Sequence, residues 1–437
     1  MTALILSAPD MLAQPALGSD VVVAILNVNV LPMDTERIAL NQTVVVRGST
    51  IASVGPAKDT LAPPGATVIE GHDKYLAPGL ADMHVHLADP NDPPGTAEAE
   101  LILFLANGVT TVRSMRGVPS HLVLRDKVAS GELLGPAIIV AGPGLDGDSV
   151  KSADEGKRAV QEQKADGYDL LKVLPGLTLP AYDAIARTAH RLGIPIAGHV
   201  PAEVGLLHAF ELNQQTIEHL DGYLELLDGS KPIPREKLLD VVRRTVDAGV
   251  WNTPTMAVME ANLGIIDTAH LLSRPELEYI PEAFVNQWLK IRSFGNPPKA
   301  VSEVMQKNRM ILLKALSDAN APILLGTDSP QLFNVPGFSI RREIQLMADA
   351  GMKPYEILRS ATQRAGEFTK WPSGTIEPGQ RADLILLDGN PLRDVQNLNR
   401  LAGVMVRGNW LPATELQSRL RAVRDRAGNY RLPVGSQ

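Results

Sequence analysis

Residues 79–89 read GLADMHVHLAD, and the fold is decided by how its two histidines are read. His84 and His86 stand one residue apart among apolar neighbours, in a chain with only nine histidines. On a β-strand, side chains at i and i+2 point to the same side. Both imidazoles would then enter one space. Two neutral rings with nothing between them fill a core poorly, whereas two rings sharing a metal ion make chemical sense. A metal needs further ligands, which must come from neighbouring strands.

Working outward, seven more short apolar runs follow the first: LADMHVH, then GVTTVRSM, AIIVAG, DLLKVLP, IPIAGHV, QTIEHL, GVWNTP and PILLGTD. Amphipathic helical patterns separate them, a rhythm that implies βαβ units and a parallel sheet. Eight runs in about 290 residues suit a (β/α)8 barrel, whose chemistry sits at the C-terminal ends of the strands. On either side of this middle lie β-branched stretches such as VVVAILNVNVLP and LAGVMVRGNW. The expected class is therefore α/β, with a barrel over 79–371 and a small β-sandwich built from 21–78 and 372–437. Residues 1–20 read as an N-terminal extension. They faintly resemble an export signal, but no basic segment precedes the apolar run and Asp10 breaks it. The compartment expected is the cytoplasm, with export to a periplasm as the alternative. From Met256 to about Ala319 there are too many residues for one crossover, and Tyr279, Phe284, Trp288 and Phe294 fall there. A lid, an oligomer contact and extra packed helices all fit that segment.

Composition narrows the chemistry. The formal net charge of -7 leaves no electrostatic footprint for nucleic acid or a membrane surface. The absence of cysteine removes disulfides, thiolate ligands and a cysteine nucleophile. Any metal must use His, Asp, Glu or a modified Lys. The ends of the runs supply them: His84 and His86 on the first, Lys172 on the fourth, His199 on the fifth, His219 on the sixth and Asp328 on the eighth. His72, His121, His190, His208 and His270 fall in loops or helices and read as surface or capping residues. Each rim residue has an ordinary explanation when taken alone. A histidine near a strand end is often hydrogen-bonded core, and an aspartate there often caps the next helix. Their coincidence on one rim is better explained by a first shell for Zn²⁺ or a similar ion. Lys172 is costly among Leu170, Leu171, Val173 and Leu174 unless partnered. As an ammonium it would repel a cation; reaction with carbon dioxide would turn it into a carbamate able to bridge two metals.

The set resembles the amidohydrolase superfamily. APGLADMHVHL, NGVTTVRSM, LLKV, GHV, IEHL and GTDSP are similar to the signatures of its strands, and KPYEILRSATQRAGEF with GTIEPGQRADLILLD to its closing helix and return sheet. The order of motifs is similar to the imidazolonepropionase-like branch, which includes Xaa-Pro dipeptidases and ochratoxin-hydrolysing amidases. The resemblance implies two divalent ions, most simply Zn²⁺. His84, His86 and Asp328 would hold one, His199 and His219 the other, and an N-carboxylated Lys172 would bridge them. It implies a metal-bridging hydroxide as nucleophile, Asp328 as proton carrier, with Lys172 and His219 counted in the catalytic set, and a homo-oligomer acting on a small amide substrate. Tyr223 and Arg113 are the candidates for gripping that substrate, while Trp251, Phe333 and Phe338 are candidates for an aromatic pocket wall. RSMRG departs from the family's usual Arg-Asp ending of strand two. The activity expected is hydrolysis of a dipeptide-like or N-acyl amino acid amide. Opening of a cyclic amide or imidazolone is the alternative, and a non-catalytic assembly protein the third reading.

Overall fold

The computed structural model describes residues 21–429; the expected extension over 1–20 lies outside the described residues. Two bodies of β-structure are present. The first is an eight-stranded mixed sheet drawn from both ends of the chain. Its hydrogen-bonded order is Asn409–Pro412, Leu401–Val406, Leu384–Leu387, Tyr75–Pro78, Val22–Val30, Ala39–Arg47 and Thr50–Pro56, with Thr67–Glu70 also paired to Val22–Val30. Alternation along Val22–Val30 and Ala39–Arg47 turns Val23, Ile25, Val28, Val44 and Val46 onto one apolar core with Leu384, Leu386 and Met405.

The second body is parallel. Leu80–Val85, Val109–Ser114 and Ala137–Val140 form one ladder series, and Leu171–Val173, Ile196–Gly198, Thr216–Glu218 and Trp251–Thr253 form another. Parallel bridges Ala141–Leu170 and Leu145–Val173 join the two series. The eighth run has no regular strand of its own. It is fastened by bridges Asn252–Ile323 and Val85–Ser329. Hydrogen bonding thus passes from each run to the next and from the eighth back to the first. Every residue of Leu80–Val85 and Val109–Ser114 is buried, as expected of parallel strands covered on both faces. The α/β class read from the sequence agrees with this content.

Helices separate the runs, among them Thr96–Ala106, Pro119–Ser130, Ala153–Ala165, Leu179–Leu192 and Arg235–Ala248. The long connection after the seventh strand is helical too, from Met256–Asn262 through Glu282–Arg292 to Lys299–Asp318. Its Trp288 is buried against Phe333 with ring centroids 5.4 Å apart, so part of this segment is ordinary packing. Among the described residues, no helix is long and apolar enough to cross a membrane.

Candidate metal centre

Strand ends carry the candidate ligands. His84 lies in Leu80–Val85 with His86 just beyond it, and Lys172 in Leu171–Val173. His199 directly follows Ile196–Gly198, and His219 directly follows Thr216–Glu218. Two glycines let the strands close up beneath them. A Cβ on Gly326 would fall 2.5 Å from Thr253 Cγ2 and 2.8 Å from His84 Cβ. Gly198, at φ 131°, would put one 2.1 Å from the Val173 carbonyl oxygen. Any side chain there would force the ligand-bearing strands apart.

The six side chains meet. Ligand atoms of His84, His219 and Asp328 lie within 4.8 Å of one another. Asp328 Oδ1 is 2.8 Å from His86 Nε2 and 3.5 Å from His84 Nε2. The rings of His84 and His199 each lie 4.7 Å from that of His219. Lys172 Nζ stands 3.4 Å from His84 Nε2, buried and turned inward.

Three of the imidazoles have their outer nitrogen taken. His84 Nδ1 is 2.7 Å from Glu218 Oε2, His199 Nδ1 2.5 Å from Asp221 Oδ2, and His219 Nδ1 2.6 Å from Thr255 Oγ1. Such partners fix ring orientation and leave the Nε2 edge for a metal. Asp328 Oδ1, close to two imidazole nitrogens, is buried and accepts no hydrogen bond. A carboxylate oxygen this close to two imidazole nitrogens and without a hydrogen bond fits a cation between them. Burial, and then the charge of Lys172, pushes His84 well below the usual imidazole range; burial and then His84 do the same to His219. Both are neutral, the form that binds metals. Burial also lowers Lys172, against Glu218 and Asp328. For Glu218, burial pushes upward, but Arg113 and then Lys172 more than offset it and hold the carboxyl below its ordinary value.

The backbone is bent to suit. His219, Leu220, Thr255 and Asp328 have φ of 61°, 54°, 45° and 60°, a left-handed conformation that is costly without glycine. After Glu218 the chain therefore leaves strand alternation, so two consecutive residues face the centre.

Two expected substrate contacts are corrected. Tyr223 is buried on the helix Tyr223–Leu227, and its hydroxyl, 2.9 Å from Thr245 Oγ1, is already engaged within the core rather than offered to a substrate. Arg113 is equally buried. It donates from Nε to the Met83 carbonyl at 2.6 Å, from Nη2 to Glu218 Oε1 at 2.9 Å and to Thr253 Oγ1 at 3.1 Å. It ties strands together beneath the ligands. His121, expected at the surface, is 2% exposed, with Nε2 3.0 Å from the Ala88 carbonyl. The aromatic wall is not assembled either. Trp251 packs on Phe368 at the start of its strand, Phe333 on Trp288, and Phe338 on Tyr279. Glu218, Asp221 and Thr255 went unread in the sequence. A glutamate inside the apolar run QTIEHL was a visible signal for the first; the other two carried none.

Comparison with known proteins supplies the family. The profile of the Amidohydrolase family matches residues 75–411. A 5-methylthioadenosine/S-adenosylhomocysteine deaminase of Caldanaerobacter subterraneus subsp. tengcongensis is 24% identical, over 83% of this chain and 84% of that protein. Ochratoxinase of Aspergillus niger is 21% identical, over 84% and 81%. Among solved structures, a bottromycin amidohydrolase superposes with a TM-score of 0.75 at 24% identity, covering 93% of this chain and 91% of the other. The chain belongs to the amidohydrolase family and is a hydrolase of carbon–nitrogen bonds. A purely structural role is thereby set aside.

Proposed function

We propose that the chain is a binuclear metal-dependent amidohydrolase on a (β/α)8 barrel flanked by a β-sandwich, cleaving the amide bond of a dipeptide-like or N-acyl amino acid substrate. The observation that carries this reading is the buried, unbonded Asp328 Oδ1 among imidazoles that Glu218, Asp221 and Thr255 turn inward. His84, His86 and Asp328 would hold one ion, and His199 and His219 the second. Lys172 would join both after its amine adds to carbon dioxide, forming the N–C bond and releasing one proton. Divalent ions, Zn²⁺ first among them, supply an acidified water and a polarised scissile carbonyl when bound. Asp328 takes the proton from the attacking water at its free oxygen and delivers it to the departing nitrogen, as base and then acid. Glu218 holds His84 in one tautomer and offsets the buried charges of Arg113 and Lys172. A homo-oligomer belongs to the same reading; Phe294, 79% exposed on the helical connection, supports it.

The test pairs elemental analysis with substrate profiling. About two divalent ions per chain are expected after purification without chelator, together with hydrolysis of N-acyl amino acids or dipeptides. Fewer than one ion per chain would defeat the binuclear site. Turnover confined to cyclic amides, imidazolones or aminopurines would defeat the substrate reading and leave the metal centre standing.

A further inference from the structure

The helix Lys299–Asp318 turns two kinds of side chain inward. Towards its C-terminus it buries Leu312, Leu313 and Leu316, while from its first turn to its middle it buries Ser302, Gln306, Asn308 and Arg309. Asn308 is satisfied, donating to the carbonyls of Gly229 at 2.9 Å and Lys231 at 2.7 Å. Arg309 is not. One guanidinium nitrogen, Nη1, donates to the backbone carbonyl of His219, which places the cation against a proposed metal ligand. Its Nε is buried with no hydrogen-bond partner. Among the described residues no carboxylate forms an ion pair with it. Asp221 and Glu225 are the acids whose charge it feels, and Asp221 Oδ2 is engaged by His199. One turn earlier on the same side, Gln306 is buried with both its amide nitrogen and its amide oxygen unpartnered.

A buried guanidinium in no direct ion pair is among the costlier things a fold can keep, and a buried amide with neither atom paired adds to it. Unmet donors of this kind imply a partner that arrives from outside. An anion is the partner that answers an unpaired cation best, and the place it would occupy borders His219. We propose that Arg309, with Gln306 beside it, forms the subsite that grips the carboxylate of the amide substrate. The inference rests on the hydrolase reading above for its substrate. It gives this helix a function: the connection after the seventh strand carries specificity to the metal centre. It also supplies the cation that Tyr223 and Arg113 do not.

The test uses matched pairs: N-acetyl-L-leucine, N-acetyl-L-phenylalanine and N-acetyl-L-proline, each against its carboxamide. Calorimetry on the metal-free full-length protein reads binding without turnover. Wild type should bind at least one acid about 10- to 100-fold more tightly than its carboxamide, the range for hydrogen bonds to a charged group. Arg309→Met should erase that preference, Arg309→Lys should restore part of it, and Gln306→Leu, which leaves the His219 carbonyl untouched, should weaken the acid several-fold. In the metal-loaded enzyme, Arg309→Met should raise KM for the acid far more than it changes kcat. Equal affinity for acid and carboxamide in every pair overturns the subsite. So does an Arg309→Met protein that loses metal and treats acid and amide alike, because Arg309 would then only prop His219. If the acid preference is present but no amide is hydrolysed, the subsite stands and the amide-substrate reading falls.

Discussion

The sheet made from the two chain ends and the mouth of the parallel strands bury opposite materials. In the sheet, Val23, Ile25, Val28, Val44, Val46, Leu384 and Leu386 meet in one apolar cluster. At the mouth, four imidazoles, three carboxylates, an ammonium and two guanidiniums converge, on a backbone held left-handed at four non-glycine positions. Apolar packing is non-directional and tolerates exchange at similar volume, so the sheet has many acceptable sequences. A buried polar network requires every partner at once. Stability resides in the first region, and strain is spent on chemistry in the second.

The largest effect expected from breaking this contrast is at Lys172. Lys172→Ala should abolish turnover and lower bound metal below one ion per chain by elemental analysis, with acetate or propionate restoring part of both. Retained metal and turnover would show that the mouth is less interdependent than described. Next comes Asp328→Asn. It should keep the fold and most of the metal while turnover falls about 10²- to 10⁴-fold, the usual weight of a proton-transfer group; an unchanged rate takes Asp328 out of the chemistry. The sheet should respond differently. Ile25→Ala, at a fully buried position paired with Val44, should cost about 2–5 kcal/mol in denaturant unfolding. Specific activity at low temperature should stay the same, and a parallel loss of metal would merge the two regions. The smallest effect belongs to a third setting, charge in water. His208 lies 2.8 Å from Asp183, and that bond raises the imidazole above its ordinary value. A raised pKa stabilises fully below about pH 6.5, and the gain fades as pH rises through the folded-state value. His208→Ala should therefore cost no more than about 0.5 kcal/mol at pH 5.5 and still less at pH 8.5.

Much of this was legible because periodicity and residue chemistry agree. Eight apolar runs, five of them carrying His, Lys or Asp at or near their ends, predicted parallel strands with a polar rim, and the structure brings those six side chains together. What stayed hidden depends on contacts that no local pattern encodes. Glu218 precedes His219, so strand alternation sends them to opposite faces; the left-handed turn at His219 and Leu220 cancels that rule. Tyr223 follows the same motif closely, but it enters a helix whose inner face is core. Helical placement alone does not separate exposed from buried either, as His121 demonstrates. Arg309 lies 90 residues beyond the carbonyl it holds, in a segment whose sequence shows only surplus length. The eighth run reads as a strand because Ile323, Leu324 and Leu325 are apolar, yet isolated bridges and the approach of Gly326 to His84 replace a regular ladder.

The pairing of Tyr75–Pro78 with Leu384–Leu387 also sets a timetable for synthesis. Until the ribosome has made residue 387 and cleared it through the exit tunnel, the open flank of Tyr75–Pro78 presents bare N–H and C=O groups to any other nascent strand. The parallel strands, by contrast, are all translated before that point. A chain halted before residue 384 would carry every proposed ligand of the metal centre and still expose an adhesive edge, a natural substrate for chaperones.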